Sequence, residues 1–518
     1  KSTSYQSFKS RLFNLICFGI VMVGLVNGQS KKIRRYSNDW KKSGPEKTWN
    51  STDHEYFYKW RNDLMDRRSK LNDQILRRQK AILNGNKITT EIWNYGSISS
   101  PGNRVTDIVW EGLGYGYEFG PFIGAIVPVP AGSHQDAFQK VDSNGNPVLD
   151  DDGNPIWLAR VISDGLVSLG GEISPDGKTF YGWEPLAFNE QGVPYGDPNS
   201  PRIPTSNDVD RSGDGKPDSW PEGWYNPNLK RYVWPGALRQ GSSNSDLESF
   251  FVVDDRSNKE FKYYPFSDDS TRMGLGIEIE CRYYQWSNPL AEDVIFLIYK
   301  VTNKSEKDLN DVIFGMWGDP HIGGPSNWQD DLSYFDRDLN MVYAWDEDNR
   351  SDVAGRDPGY FGYIFLESPG NPYDQKDNDG DGIIDESRNN GIDDDGDWDV
   401  SKHDVGVDGI PNTGDFGEND GLPTAGNAFD IRQPGEPNFE WTDLDESDMI
   451  GLTSFAAPNF GGNNRISKDD FIYTSYMNPG EFDSLNSDVA GDNIFLYGSG
   501  KFTLKAGEAR RFSIALLV

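Results

Sequence analysis

Asp377, Asp379 and Asp381 alternate with small or polar residues in the run DNDGDGIIDE, and Gly382, Ile383 and Asp385 follow. Counted from Asp377, carboxylates fall at positions 1, 3, 5 and 9, a glycine permits a sharp turn at 6, and Ile383 can offer its carbonyl at 7. Hard oxygen donors in that order are what a calcium loop supplies; magnesium fits less well, because it demands stricter octahedral geometry. The spacing recurs at Asp210, Ser212, Asp214, Lys216 and Asp218, with Ser212 a weaker donor at position 3 and Lys216 at the carbonyl position. A third unit begins at Asp393, Asp395 and Asp397, although Trp398 stands where glycine belongs. An acidic surface turn would share the composition of each of these loops.

Charge sharpens the choice. Residues 374 to 420 carry 16 acidic side chains against three Lys or Arg. Repulsion of that density leaves a segment either disordered or bound to cations. An EF-hand is excluded, since its bidentate Glu at position 12 is here Arg388 and no helical pattern flanks the loop. The stretch resembles the aspartate-rich repeats of the thrombospondin type 3 family, in which short DxDxDGxxD units wrap calcium without flanking helices. The likeness covers about residues 374–399, and it implies Ca2+ as the cofactor.

A second acidic series follows the apolar run DVIFGMWG. It comprises Asp319-Pro-His-Ile-Gly323, then Asp330 and Asp331, then Asp336. With the later stretch FTLKAGEARRFSIAL, it resembles a β-sandwich module of large exported surface proteins of environmental Gram-negative bacteria. The likeness spans about residues 275–350 and 490–518. It implies a metal near Asp319, Asp330 and Asp331; plain surface turns account for the same residues equally well.

Enzymatic constellations are scarce. Beyond the apolar N-terminal run the histidines are His54, His134, His321 and His403, none in an HExxH arrangement. There is no GxSxG elbow, and Cys281 lies inside an apparent strand, GIEIECRYYQW, more like a buried small residue than a nucleophile. Gly171 to Thr179 imitates a phosphate loop but has five residues between its glycines where the motif has four, so Pro175-Asp176-Gly177 reads as a hairpin turn. A pair of carboxylates for glycoside hydrolysis is always available among 82 Asp and Glu, which makes their presence uninformative.

The elements that must position these residues are mostly strands. Aromatics at 13%, 56 Gly and 30 Pro favour short strands joined by many turns. Residues 1–28 have the basic start, apolar run and small-residue end of a secretory signal, and 29–52 read as linker. Phe57, Trp60, Leu64, Leu71, Ile75 and Ile82 recur at helical spacing, predicting one long amphipathic helix over 53–85 that stops at Gly85. A β domain with long loops follows over 86–245. It contains an eight-residue repeat, Asp142–Leu149 and Asp150–Trp157, that reads as two tight turns. A second domain, 246–518, carries the clearest strand pattern, GIEIECRYYQW, DVIFLIYKVTN and DVIFGMWGD, and is interrupted by an acidic calcium-binding insertion at 371–440. Both chain ends read as cut from something longer.

The expected fold is therefore mainly β, with Ig-like or jelly-roll-type β-sandwich domains. A net charge of −32 argues against nucleic acid, which needs a basic face. With the signal removed Cys281 is the sole cysteine, so no intrachain disulfide can form and stability must come from core burial and ions. The expectation is a secreted, extracellular or cell-surface protein, calcium-stabilised, structural or adhesive and not an enzyme, without a stable membrane span. Its partners would be calcium ions, with glycans, other surface proteins or further copies of itself as candidates; a carbohydrate-binding module or glycan-active hydrolase is the alternative.

Overall fold

The computed structural model describes residues 78–99, 108–165, 174, 176, 178–197, 200, 202–237, 241–324, 327, 329–336, 339–369, 398–406, 410–424, 452–459, 468–482 and 490–518. The chain divides into two compact units, one of residues 368–450 and one of the remainder on either side of it. The described residues are mainly β.

The larger unit begins with a hairpin. Strands β1 (Lys80–Leu83) and β2 (Ile88–Trp93) pair antiparallel, and β3 (Val109–Trp110) and β4 (Leu113–Gly114) extend them into a four-stranded sheet. The predicted helix therefore cannot run to residue 85, and its portion before residue 78 lies outside the described residues. The reason is local. Ala81 and Leu83 are buried while Ile82 is exposed, a period of two, and Asn84-Gly85-Asn86 makes the turn. Tertiary contacts hold that turn: the Gln285 side chain accepts from Gly85 N and donates to Asn86 Oδ1 and Ile88 O.

The next strands are β5 (Gly116–Pro128), β6 (Phe138–Gln139), β7 (Trp157–Asp164), β8 (Glu184–Pro185), β9 (Tyr225–Asn226), β10 (Arg231–Tyr232) and β11 (Leu247–Asp254). After them come β12 (Ile277–Gln285), β13 (Val294–Asn303), β14 (Leu309–Pro320), β15 (Asp331–Asp336), β16 (Met341–Asp346) and β17 (Tyr360–Glu367). The last four are β18 (Leu452–Ala456), β19 (Phe495–Ser499), β20 (Phe502–Leu504) and β21 (Ala509–Leu517). One antiparallel sheet has the order β15-β16-β17-β21-β13-β12-β11-β8, and another the order β18-β19-β14-β5-β7-β6 with β20 also on β14.

Alternation fixes which face each strand buries. Ile277, Ile279, Cys281 and Tyr283 of β12, Ile295, Leu297, Tyr299 and Val301 of β13, and Phe512, Ile514 and Leu516 of β21 enter one apolar cluster. The second sheet feeds the same cluster through Phe119, Ile123, Ala125 and Val127 of β5, Phe314 and Met316 of β14, and Phe495 and Tyr497 of β19. Cys281 is a free, buried thiol inside that core, and burial pushes its pKa well up.

The division expected at residue 245 is absent. β5, from the first half, pairs along most of its length with β14 of the second, so strands from both sides of that position build one sheet. The repeated turns at 142 and 150 form as predicted. Asp142 Oδ1 accepts the N–H groups of Asn144 and Asn146, and Asp150 Oδ1 those of Asp152 and Asn154.

In the smaller unit, a short helix, Val400–His403, is capped by Asp399, whose carboxylate accepts from Ser401 N. Asp404 accepts from Asp420 N and Gly421 N there.

Candidate metal centre

The aspartate loops at 377–385 and 393–397 lie outside the described residues. The loop at Asp210 is described and closes on itself. Asp210 accepts the N–H groups of Gly213, Asp214 and Gly215 and the Ser212 hydroxyl, and Asp214 accepts Lys216 N. Asp218 is held by Arg202 and Arg211, and the Lys216 ammonium reaches Asp197. Hydrogen bonding holds the Asp210 and Asp218 carboxyls below their ordinary pKa. Among the described residues, three ligand atoms from acidic or histidine side chains converge within 4.8 Å in two other places, and this loop is not one of them.

Those two places adjoin at the end of β14 and the start of β15. The first gathers Asp319, His321 and Asp492; the second gathers Asp330, Asp346 and Asp348. The backbone explains the first. Asp319 is the penultimate residue of β14, opposite Glu118 of β5, and His321 N donates to Tyr115 O just past the strand end. The imidazole stacks on Tyr117 at 4.8 Å between centroids. Burial pushes its pKa down to about 3, so the ring is neutral at physiological pH. Its Nε2 lies 3.5 Å from Asp319 Oδ1. Asp492 arrives from the loop before β19.

The following loop needs both of its glycines. Gly323 and Gly324 have φ of +93° and +117°. A Cβ on Gly323 would stand 2.5 Å from Asn327 Nδ2, and one on Gly324 would stand 2.9 Å from Asp352 Oδ2. The pair lets Asn327 sit against the 346–352 loop.

The second triad grows from the β15–β16 ladder. Asp331 opposes Asp346 in the register, and Glu347 N donates to Asp330 O. Past β16 the chain turns so that Arg350 N donates to both Asp346 Oδ1 and Asp348 Oδ1. Asn327 Nδ2 donates to Asp346 Oδ2 at 2.6 Å and to Arg350 O. The Asn327 Oδ1 atom is buried with no hydrogen-bond partner. Asp330, Asp346 and Asp348 are all buried, with the exposed side chain of Arg350 3.6 Å from Asp348 Oδ2.

Asp331 stands between the triads. It is 0% exposed; Oδ2 accepts Ile322 N, and Oδ1 has no hydrogen-bond partner. Its backbone carbonyl accepts from Gly491 N and from Asn493 Nδ2, which ties it to the loop carrying Asp492. Its carboxyl is pushed well above the ordinary range, first by burial, then by the charges of Asp346, Asp330 and Asp492. A carboxyl buried among carboxylates either keeps its proton or needs a cation to compensate its charge.

Asp319, Asp330 and Asp331, expected to share one metal, are thus neighbours that divide their partners. The ligands that the sequence reading passes over are His321, Asn327, Asp346, Asp348 and Asp492. For Asp346 and Asp348 a signal exists, the D-x-D spacing directly after the apolar run MVYAW. Asp492 has none, because only the fold carries it to a site more than 150 residues away in sequence.

No protein-family model matches the chain, and no curated protein matches it. Among solved structures it is similar to a copper-containing benzylamine oxidase from Hansenula polymorpha, at 7% identity and a TM-score of 0.24. The match covers 84% of this chain and 59% of that one. Likeness at that level defines no shared fold and bears on no residue of the centre.

Proposed function

We propose that this chain is a calcium-stabilised β-sandwich protein of the extracellular space or cell surface, serving a structural or adhesive role. Two large antiparallel sheets that feed one apolar core support the reading as an Ig-like or jelly-roll-type sandwich. The observation that carries the calcium reading is the all-oxygen pocket of Asp330, Asp346 and Asp348, with the buried Asn327 Oδ1 beside it. Carboxylate oxygens converging at one buried point match the ligand preference of Ca2+. The expected export signal, the free buried thiol of Cys281 and the aspartate-rich loops support a stabilising ion in the extracellular medium.

A calcium titration of chelator-treated protein tests this. Saturable binding is expected, weakened at least tenfold in Asp348→Asn, which corresponds to about 1.4 kcal/mol. Absence of binding, or an unaltered isotherm in that variant, would overturn it.

A further inference from the structure

The two triads differ in one atom type, and that difference has a chemical consequence. Asp330, Asp346 and Asp348 offer oxygen alone. Asp319, His321 and Asp492 offer two carboxylates and an imidazole nitrogen. Calcium takes oxygen ligands, whereas imidazole suits zinc and other first-row transition ions.

We propose that Asp319, His321 and Asp492 bind a divalent transition ion, zinc being the first choice, at a position distinct from the calcium pocket at Asp330, Asp346 and Asp348. The inference rests on the reading of this end of the sandwich as cation-binding, and adds a second ion of a different class.

Geometry supports it. His321 is 6% exposed, and the stack of its ring on Tyr117 and the bond from its backbone N–H to Tyr115 O fix its place, so the nitrogen is pre-positioned. His321 Nε2 stands 3.5 Å from Asp319 Oδ1, outside the usual N–H···O range. That separation is close to the edge of a tetrahedron with metal–ligand bonds near 2.0–2.1 Å, about 3.3 Å. Independently, Asp331 is a fully buried carboxylate with one oxygen unpartnered; its other oxygen accepts the N–H next to His321, and its backbone carbonyl accepts from Gly491 N and Asn493 Nδ2 on either side of Asp492. Asp492 is half-buried, which gives an ion a route in from solvent. Three protein ligands leave a fourth position for water.

The test uses the full chain, stripped with chelator and returned to excess calcium. Zinc is titrated by calorimetry, and cobalt(II) replaces it as a visible-absorption probe. One equivalent of zinc is expected to bind in the presence of calcium. Cobalt(II) should give a ligand-field spectrum that zinc abolishes. His321→Gln and Asp492→Asn should each weaken zinc binding at least tenfold, whereas Asp142→Asn, in an exposed turn, should keep it. The partly exposed Asp492 guards against a folding artefact, as does a melting curve of each variant in calcium.

Zinc binding equal to wild type in both His321→Gln and Asp492→Asn overturns the proposal, as does no zinc binding above calcium competition. If calcium fails to bind while zinc binds and depends on His321, the calcium reading falls and this one stands. Calcium binding without zinc binding overturns this proposal and leaves the calcium reading standing.

Discussion

Single side chains show where burial and charge conflict in this molecule. Asp255 is 1% exposed and accepts the N–H groups of Leu275, Gly276 and Ile277 together with the Ser163 hydroxyl. Burial pushes its carboxyl up to about 7, with the charge of Asp254 adding to the rise and the Leu275, Ser163 and Ile277 donors opposing it. An acid whose folded pKa exceeds its unfolded value keeps its proton in the fold, so its contribution to stability is present at low pH and is lost as pH rises. The window runs from about 4 to about 7, and the full effect is at most roughly 4 kcal/mol. Denaturant unfolding of wild type and Asp255→Asn across that window should show wild type losing ground to the variant as pH increases. A constant difference would mean that the four donors keep the group ionised throughout. At the same scale, His321 illustrates what composition hides: a lone histidine beside Asp319 has no sequence motif, and its pairing with Asp492 is a product of folding alone.

At the level of elements, strand pattern is readable in the sequence and strand partnership is not. The runs around 277–285, 294–303, 309–320 and 509–517 are strands as their alternation and β-branched content predict. The stretch from Lys80 to Leu83 departs from expectation because Ile75 and Ile82 fit a helical period, while the Asn-Gly turn at 84–85 and the exposed Ile82 obey a strand period instead. The pairing of β5 with β14 links residues nearly 200 apart, and no local signal specifies it. Close packing along β14 bears directly on the metal centre. A Cβ on Gly318 would come within 2.4 Å of Phe495 and 2.7 Å of Phe119, both fully buried. Gly318→Ala should therefore cost about 1–3 kcal/mol by overpacking. Because Asp319 is the next residue, the same substitution should weaken zinc binding more than calcium binding. A melting curve and the two metal titrations on one sample would check both parts, and an unchanged melting temperature would contradict the packing argument.

For the whole molecule, the acidic composition is informative about ions and silent about where the buried centre lies. The spacing in DNDGDGIIDE points to 371–440, within a unit that spans 368–450 in the structure. The buried triads belong instead to the larger unit, where carboxylates scattered over β14, β15, the loop after β16 and the loop before β19 converge. The aspartate-rich loop and the buried centre make separable predictions. Replacing Asp377 and Asp381 together with Asn should make the 368–450 unit more sensitive to limited proteolysis in calcium while leaving the melting of the larger unit in place. Equal protease resistance in variant and wild type would remove those two residues from any calcium role.

Cations that compensate the buried carboxylates would stabilise the β fold. An ion present at about 100 times its dissociation constant adds about 2.7 kcal/mol. Differential scanning calorimetry of the full chain, with millimolar calcium and with excess chelator, tests this most directly. A melting temperature lower by roughly 3 °C in chelator, and restored when calcium is returned, is expected. Superimposable curves under the two conditions would contradict it.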